Sequence, residues 1–286
     1  MDRPETRELA YFLAVAEELH FGRAARRLGM AQPPLSRAIR QLERRIGVPL
    51  LLREHHRLTL TEAGRVLAEE AAAVLAAASA AVRRTRRAGR PDPRLVVALK
   101  SGGDGDLLPA LLAAFPTAPE AVPVEVLLCD VPDRARLLRD GTADVAFLHA
   151  PYEDFTDLDT EPLLTERTVA VLPRSHRLAD RPRLHPADLA DEPTARWQGR
   201  PGTGPEVRDL AQLMHLVALG RAVALAPASV RTQLRRDLCC VPVPDAAPTT
   251  LVLAWPSRSR SPALAAFVRT AAAVAAGHRP PAGPNG

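Results

Sequence analysis

Residues 11–64 read YFLAVAEELHFGRAARRLGMAQPPLSRAIRQLERRIGVPLLLREHHRLTLTEAG. Leu9, just upstream, joins Phe12, Leu13 and Ala16 at helical spacing and makes one apolar face. The next run, FGRAARRLGM, turns Ala24, Ala25 and Leu28 inward, where small side chains permit close packing. Gly29 then supplies the left-handed conformation that ends a helix. In QPPLSRAIRQLERRIG the prolines fall in the first helical turn, where a missing N–H costs nothing. Leu35, Ile39, Leu42 and Ile46 form a single stripe there, Ser36, Arg37, Arg40, Gln41 and Arg44 occupy the other side, and Gly47 stops the helix.

Past Val48 the pattern changes. Leu58 and Leu60 alternate with Arg57 and Thr59, so 50–60 reads as a short hairpin. Thr61, followed by Glu62 and Ala63, opens a long helix that runs to about residue 87. About 25 helical residues exceed what a single globule needs, which suggests a dimerising rod.

Two short helices joined by a tight turn, the second basic on one face, describe a helix-turn-helix. The buried stripe leaves Gln32, Ser36, Arg37 and Arg40 exposed near the N-terminal side of the third helix. Glutamine pairs with adenine, and arginine with guanine or phosphate; Ser36 suits a phosphate or water-mediated contact. The hairpin is then a wing that brings Arg53 and Arg57 near a nucleic-acid backbone. The plainer reading is a solvated bundle whose arginines keep it soluble.

Charge separates these readings. Of 38 basic residues 37 are arginine, Lys100 being the one lysine, and 51 residues are alanine. Residues 1–90 carry 17 arginines against 10 acids, and the remaining 196 residues 21 bases against 23 acids. Codon bias explains arginine in place of lysine, but it does not confine the excess to the first third; a polyanionic partner does. A chain of 286 residues predicts about two domains. With 47% hydrophobic and 25% charged residues it is no disordered polymer. Cys129, Cys239 and Cys240 form no disulfide or metal framework. Neither a signal peptide nor an 18-residue apolar run is seen, so the chain reads as cytosolic, with no membrane partner.

Gly89-Arg90-Pro91-Asp92-Pro93 is a breaker cluster and hinge. Beyond it the pattern alternates: strands at 95–100, 122–128, 145–148, 163–173, 222–225 and 251–255, helices at 106–115, 134–140, 207–218 and 262–275, and a turn-helix at 184–189. This is α/β architecture with a parallel-biased sheet, in two subdomains around a cleft. The tail from 276 to 286 reads as disordered.

The 11–64 run resembles, without a gap, the winged helix-turn-helix of LysR-type transcriptional regulators, and the order of the remaining elements extends the resemblance over the whole chain. It implies a DNA-binding domain at 1–60, a linker and dimerisation helix with hinge at 61–90, and a periplasmic-binding-protein-like effector domain at 91–275. In that domain, subdomain I takes about 91–160 and 250–275, and subdomain II about 161–249. The family's DNA-contacting positions fall on Gln32, Pro33, Ser36, Arg37 and Arg40, and its phosphate-contacting wing arginine on Arg53. This chain departs from the family at His55-His56, where the wing tip is usually small, and at Leu51, usually phenylalanine. Ala222 replaces a usual glycine. The family's Ser or Thr that binds an effector carboxylate falls on Ser101.

Ser101 and Gly102 lie in SGGDG, a loop leading into a helix, where backbone amides can seat an anion. Asp104 and Asp106 oppose an anion there unless they face solvent, and a plain strand–turn–helix connection fits as well. The next loop, Cys129-Asp130-Val131-Pro132, lacks the family's hydroxyls. His149 either faces the cleft, pairing with an acid when protonated, or caps its strand. Arg196, Trp197 and Arg200 are candidates for the opposite wall, and His149 and Arg200 are carried as effector-binding candidates. No G-x-S-x-G, H-E-x-x-H or P-loop occurs, so neither a catalytic residue nor a metal or cofactor is expected. Expected partners are double-stranded operator DNA, a small organic and anionic co-inducer, a second copy in a dimer or tetramer, and RNA polymerase. The competing class is a small-molecule-binding module or enzyme with a basic docking domain.

Overall fold

The computed structural model describes residues 4–54, 57–89, 91–198 and 203–278. The chain divides into two units, residues 1–85 and 86–286.

In the first unit, α1 (Thr6–Glu18), α2 (Phe21–Arg27) and α3 (Gln32–Ile46) pack through Phe12, Val15, Ala24, Leu35, Ile39 and Leu42, each at most 1% exposed. The α2–α3 turn passes through Gly29 at φ 64°, and α3 ends on Gly47 at φ 89°. His20 caps α2, its Nδ1 accepting from the backbone N–H of Gly22 and Arg23. The strands β1 (Leu51–Glu54) and β2 (Arg57–Leu60) pair antiparallel, Leu51 facing Leu60 and Glu54 facing Arg57. Glu43 ties this hairpin to α3, its Oε1 accepting from the amides of Leu50 at 2.9 Å and Leu51 at 3.2 Å.

The long helix α4 (Glu62–Ala88) starts as the sequence suggests. Thr61 Oγ1 accepts from the Gly64 amide at 2.9 Å and donates to the Pro49 carbonyl at 2.8 Å. Gly64 itself is a close approach: a Cβ there would lie 2.1 Å from the Leu50 carbonyl oxygen.

The second unit holds two sheets. The larger has the order β4-β3-β5-β12-β6, built from β3 (Leu95–Leu99), β4 (Val124–Leu128), β5 (Val145–Ala150), β6 (Leu158–Glu166) and β12 (Thr249–Pro256). Side chains alternate across it. Val97, Phe147, Leu251 and Leu253 face α5 (Leu108–Ala114) and α8 (Pro262–Gly277), where Phe115 and Phe267 meet edge to face at 5.1 Å. Val96, Ala98, Ala146, Leu148 and Val252 pack with Leu137 and Leu138 of α6 (Arg134–Arg139). The smaller sheet has the order β10-β7-β11: β7 (Thr168–Pro173) between β10 (Ala224–Pro227) and β11 (Leu238–Pro242). The helix α7 (Leu210–Ala218) covers one face of it through Leu213, Met214 and Val217. A short parallel pair, β8 (Arg196–Trp197) with β9 (Glu206–Val207), lies beside that lobe.

Several expectations change. In the larger sheet only β3–β4 and β3–β5 are parallel; β12 runs antiparallel to both its neighbours, and the smaller sheet is wholly antiparallel. The stretch 163–173 holds two strands in different sheets, because β6 pairs with β12 and β7 with β10 and β11. Sheet membership therefore moves the subdomain boundary from about 160 to Glu166. The sequence reading contained no strand at β11. The final helix continues to Gly277, two residues into the expected tail, whose residues 279–286 lie outside the described part.

Candidate functional site

The first candidate surface is the outer side of α3. Packing of Leu35, Ile39 and Leu42 into the core leaves Gln32, Pro33, Arg37 and Arg40 exposed and Ser36 half-buried. Arg40 Nε donates to the Ser36 carbonyl at 3.3 Å, which holds its side chain along the helix. Arg37 has no hydrogen bond or ion pair with any described residue, so its guanidinium is available to a partner. Arg53 lies in β1, opposite Leu58; its side chain falls outside the described part, as do both His55 and His56.

The second is a cavity of about 800 Å³ between the two lobes of the second unit. Lys100, Gly102, Val131, Arg134, His149, Tyr152 and Glu153 line it from the first lobe. Thr194, Trp197, Leu213, Leu225, Ser229 and Val230 are among those on the second. Arg134, 1% exposed, ion-pairs with Glu153 and donates to the Phe147 carbonyl at 2.8 Å. Its Nη1 also lies 3.4 Å from His149 Nδ1. Arginine has no acceptor, so in this contact Nδ1 accepts. Burial of a charge is tolerable here because a carboxylate and a carbonyl replace its water. Arg196 pairs with Glu206 at 2.7 Å, and Lys100 Nζ sits 4.7 Å from the centre of the Trp197 ring.

The sequence-derived effector residues separate here. Gly102 and His149 line the cavity, and Arg200 lies outside the described residues. Ser101 is exposed in the turn, while its neighbours Lys100 and Gly102 form the wall. Part of the anion seat expected at 101–105 is used internally. Asp104 Oδ2 accepts from the Leu108 amide at 3.2 Å, and the Gly103 amide donates to the Lys100 carbonyl. Sequence reasoning missed Arg134 and Glu153, which nothing in their local pattern marks for burial. Lys100 carried a signal that went unused, as the one lysine among arginines.

The three thiols are free, and burial pushes Cys129 and Cys240 up to about 11. Among the described residues no group of three or more His, Cys, Asp and Glu is placed to hold a metal ion. No helix among them is long and apolar enough to cross a membrane.

Residues 6–65 match the model of the bacterial regulatory helix-turn-helix proteins of the lysR family, and residues 88–276 that of the LysR substrate binding domain. The chain belongs to the LysR family. This LysR-family chain is 30% identical over 254 residues to the HTH-type transcriptional regulator AlsR of Bacillus subtilis, covering 82% of this chain and 84% of AlsR. It is likewise 30% identical to the Hca operon transcriptional activator HcaR of Escherichia coli, over 92% and 96% of the two chains. Among solved structures, CbnR, a LysR family transcriptional regulator, superposes with a TM-score of 0.60 at 27% identity, covering 95% of this chain and 99% of CbnR. CbnR in complex with its target DNA gives 0.58, also at 27% identity, over 95% of this chain and 100% of that one. The LysR-family chain is thus a DNA-binding transcriptional regulator with an effector domain, its relatives being regulators and not enzymes.

Proposed function

We propose that the regulator reads operator DNA with the exposed side of α3 and senses a small molecule in the inter-lobe cavity. Gln32, Arg37 and Arg40 contact base edges and phosphates, Pro33 and Ser36 pack on the backbone, and Arg53 meets a phosphate from the wing. Two chains pair through α4 and present two recognition helices to pseudo-palindromic half-sites, as a dimer or a tetramer assembled from dimers. A small organic, anionic effector contacts Gly102 and His149. It changes the populations of lobe arrangements, and through them the spacing of the DNA-reading units and the contact with RNA polymerase. No catalytic step is part of this function.

The observation that carries the proposal is the exposed basic side of α3, backed by a stripe of buried aliphatic residues. Footprinting on DNA upstream of the chain's own gene tests it. Two protected half-sites about one helical turn or a multiple apart are expected, and their pattern should change with a metabolite found by thermal shift. Salt-insensitive absence of any protection would overturn it in favour of a small-molecule-binding module with a docking domain.

A further inference from the structure

We propose that the turn following β10 is a clasp between the two lobes, and that the Thr232 hydroxyl is its releasable catch. The regulatory role of the clasp rests on the reading in which a cavity ligand acts by changing the populations of lobe arrangements.

The turn is a short 3-10 helix, Ala228–Gln233, which the second lobe carries between β10 and β11. Carboxylates of the first lobe hold it at both ends. At its start, Glu166, the last residue of β6, accepts from the Ser229 amide at 2.7 Å through Oε1 and from the Ser229 hydroxyl at 3.1 Å through Oε2. The adjacent Ala228 amide donates to the Arg167 carbonyl at 3.0 Å, where the chain crosses from one sheet to the other. This end is an anchor beside the crossing, where a hinge motion displaces atoms least. The far end is built otherwise. Thr232 Oγ1 donates across the lobes to Asp106 Oδ1 at 3.2 Å, and Thr232 is exposed. The same hydroxyl lies 3.0 Å from the Ser229 carbonyl of its own turn. A hydroxyl carries one proton, so the two acceptors compete for it. Given to Asp106, it ties the lobes; given to Ser229, it closes the turn on itself. Release therefore leaves no donor unsatisfied, and water replaces the hydroxyl at the carboxylate. The tie is a two-state element rather than a fixed strut.

The first lobe is shaped for this contact. Asp106 holds φ 62°, in the left-handed region that a Cβ disfavours, and Gly102 in the same loop holds 63°. The side-chain amide of Gln233 rests over Gly102, its Oε1 2.0 Å from where a Cβ would stand. The loop after β3 thus receives both Thr232 and Gln233, and Asp106, an awkward neighbour for an anion, has its partner in the other lobe. Val230, between the anchored Ser229 and the catch, lines the cavity. A ligand that presses on Val230 acts on the clasp directly, and its place in the cavity biases which acceptor Thr232 serves.

Spin labels on Ala110→Cys and Arg236→Cys, the fourth residue beyond each partner, report the distance across the catch by pulsed electron paramagnetic resonance. The full chain is used without any ligand, its three native cysteines changed to alanine, and is diluted with unlabelled chain so that distances within one molecule dominate. Asp106→Gly suits the left-handed backbone and removes the acceptor, whereas Thr232→Val removes the donor at nearly constant size. Each should raise the ratio of wide to narrow distances about two- to fivefold, and the double variant no further. Asp106→Asn, which keeps an acceptor oxygen, should stay near the parent. Far-UV circular dichroism reports folding, and the variants on either side of the bond back one another. An unchanged distribution in either folded single variant, or additive widening in the double, overturns the catch and leaves the effector reading standing. Widening that leaves the footprint on upstream DNA as in the parent overturns the reading beneath it, in which lobe arrangement governs the DNA-reading units.

Discussion

Arg45 Nη1, in the last turn of α3, lies 2.7 Å from Glu8 Oε2, in the first turn of α1. The two side chains are 18% and 14% exposed, so water does little to screen the pair. Glu8 Oε2 also accepts from the Glu5 amide at 2.9 Å and so closes the N-terminal turn of α1. One carboxylate therefore starts the first helix and fixes the end of α3, the helix proposed to read DNA. Glu8→Gln should destabilise the N-terminal unit by about 1–3 kcal/mol, the range for a charge-assisted hydrogen bond shielded from solvent. Urea unfolding of the full chain checks this. A double-mutant cycle with Arg45→Gln should return a coupling energy of about 0.5 kcal/mol or more.

Arg37 and Arg53 should fail differently. Loss of a base-edge contact costs about 1–3 kcal/mol at that base pair, so Arg37→Ala should flatten the preference for operator over unrelated DNA. Loss of a phosphate contact weakens all DNA alike. Arg53→Ala should therefore lower affinity uniformly and reduce the salt slope by about 1. Mobility-shift titrations at several salt concentrations distinguish the two.

Gly64 inverts the usual rule for glycine in helices. Replacement by alanine inside a helix ordinarily gains about 1 kcal/mol. Here the added Cβ meets the Leu50 carbonyl at 2.1 Å, and backbone cannot rotate aside. Gly64→Ala should cost about 1–3 kcal/mol instead, measured as a lower unfolding midpoint.

Alkali should weaken the second unit. Burial raises the Cys129 and Cys240 thiols from 9.0 to about 11, so the folded chain holds these protons more tightly than the unfolded chain does. Their contribution is complete below pH 9 and is lost as the pH climbs from 9 through about 11. Cys129→Ala and Cys240→Ala should each flatten that alkaline limb of a stability-versus-pH profile. Thiol labelling at pH 8 should be slow for both, because the thiolate is scarce.

The first unit was readable because its signals are local. A stripe at Leu35, Ile39 and Leu42, the glycines Gly29 and Gly47 after α2 and α3, and a threonine cap are all signals carried by nearby residues. The sheets were harder. Nothing between Leu163 and Pro173 marks where the chain changes sheets, since β6 and β7 are continuous extended runs separated only by Arg167. The β11 segment LCCVP was missed because a short buried strand has no periodicity of its own. The cavity was legible to within one residue. Neighbouring positions present opposite sides, so Gly102 lines the wall as expected, Ser101 is exposed, and Lys100 lines the wall without having been expected there. The buried Arg134–Glu153 pair joins residues far apart in sequence, and composition alone says nothing of such partners.

The interior place of β12 sets an order on the birth of the molecule. A ribosome has finished the whole N-terminal unit by residue 85, before any strand of the second unit is made. The larger sheet waits far longer, because β5 and β6 have no common neighbour until Thr249–Pro256 is made. A message cut short before that strand would yield an operator reader attached to a sheet with two open edges, prone to aggregation. Late nonsense mutations should therefore remove the protein from the cell instead of leaving an unregulated one.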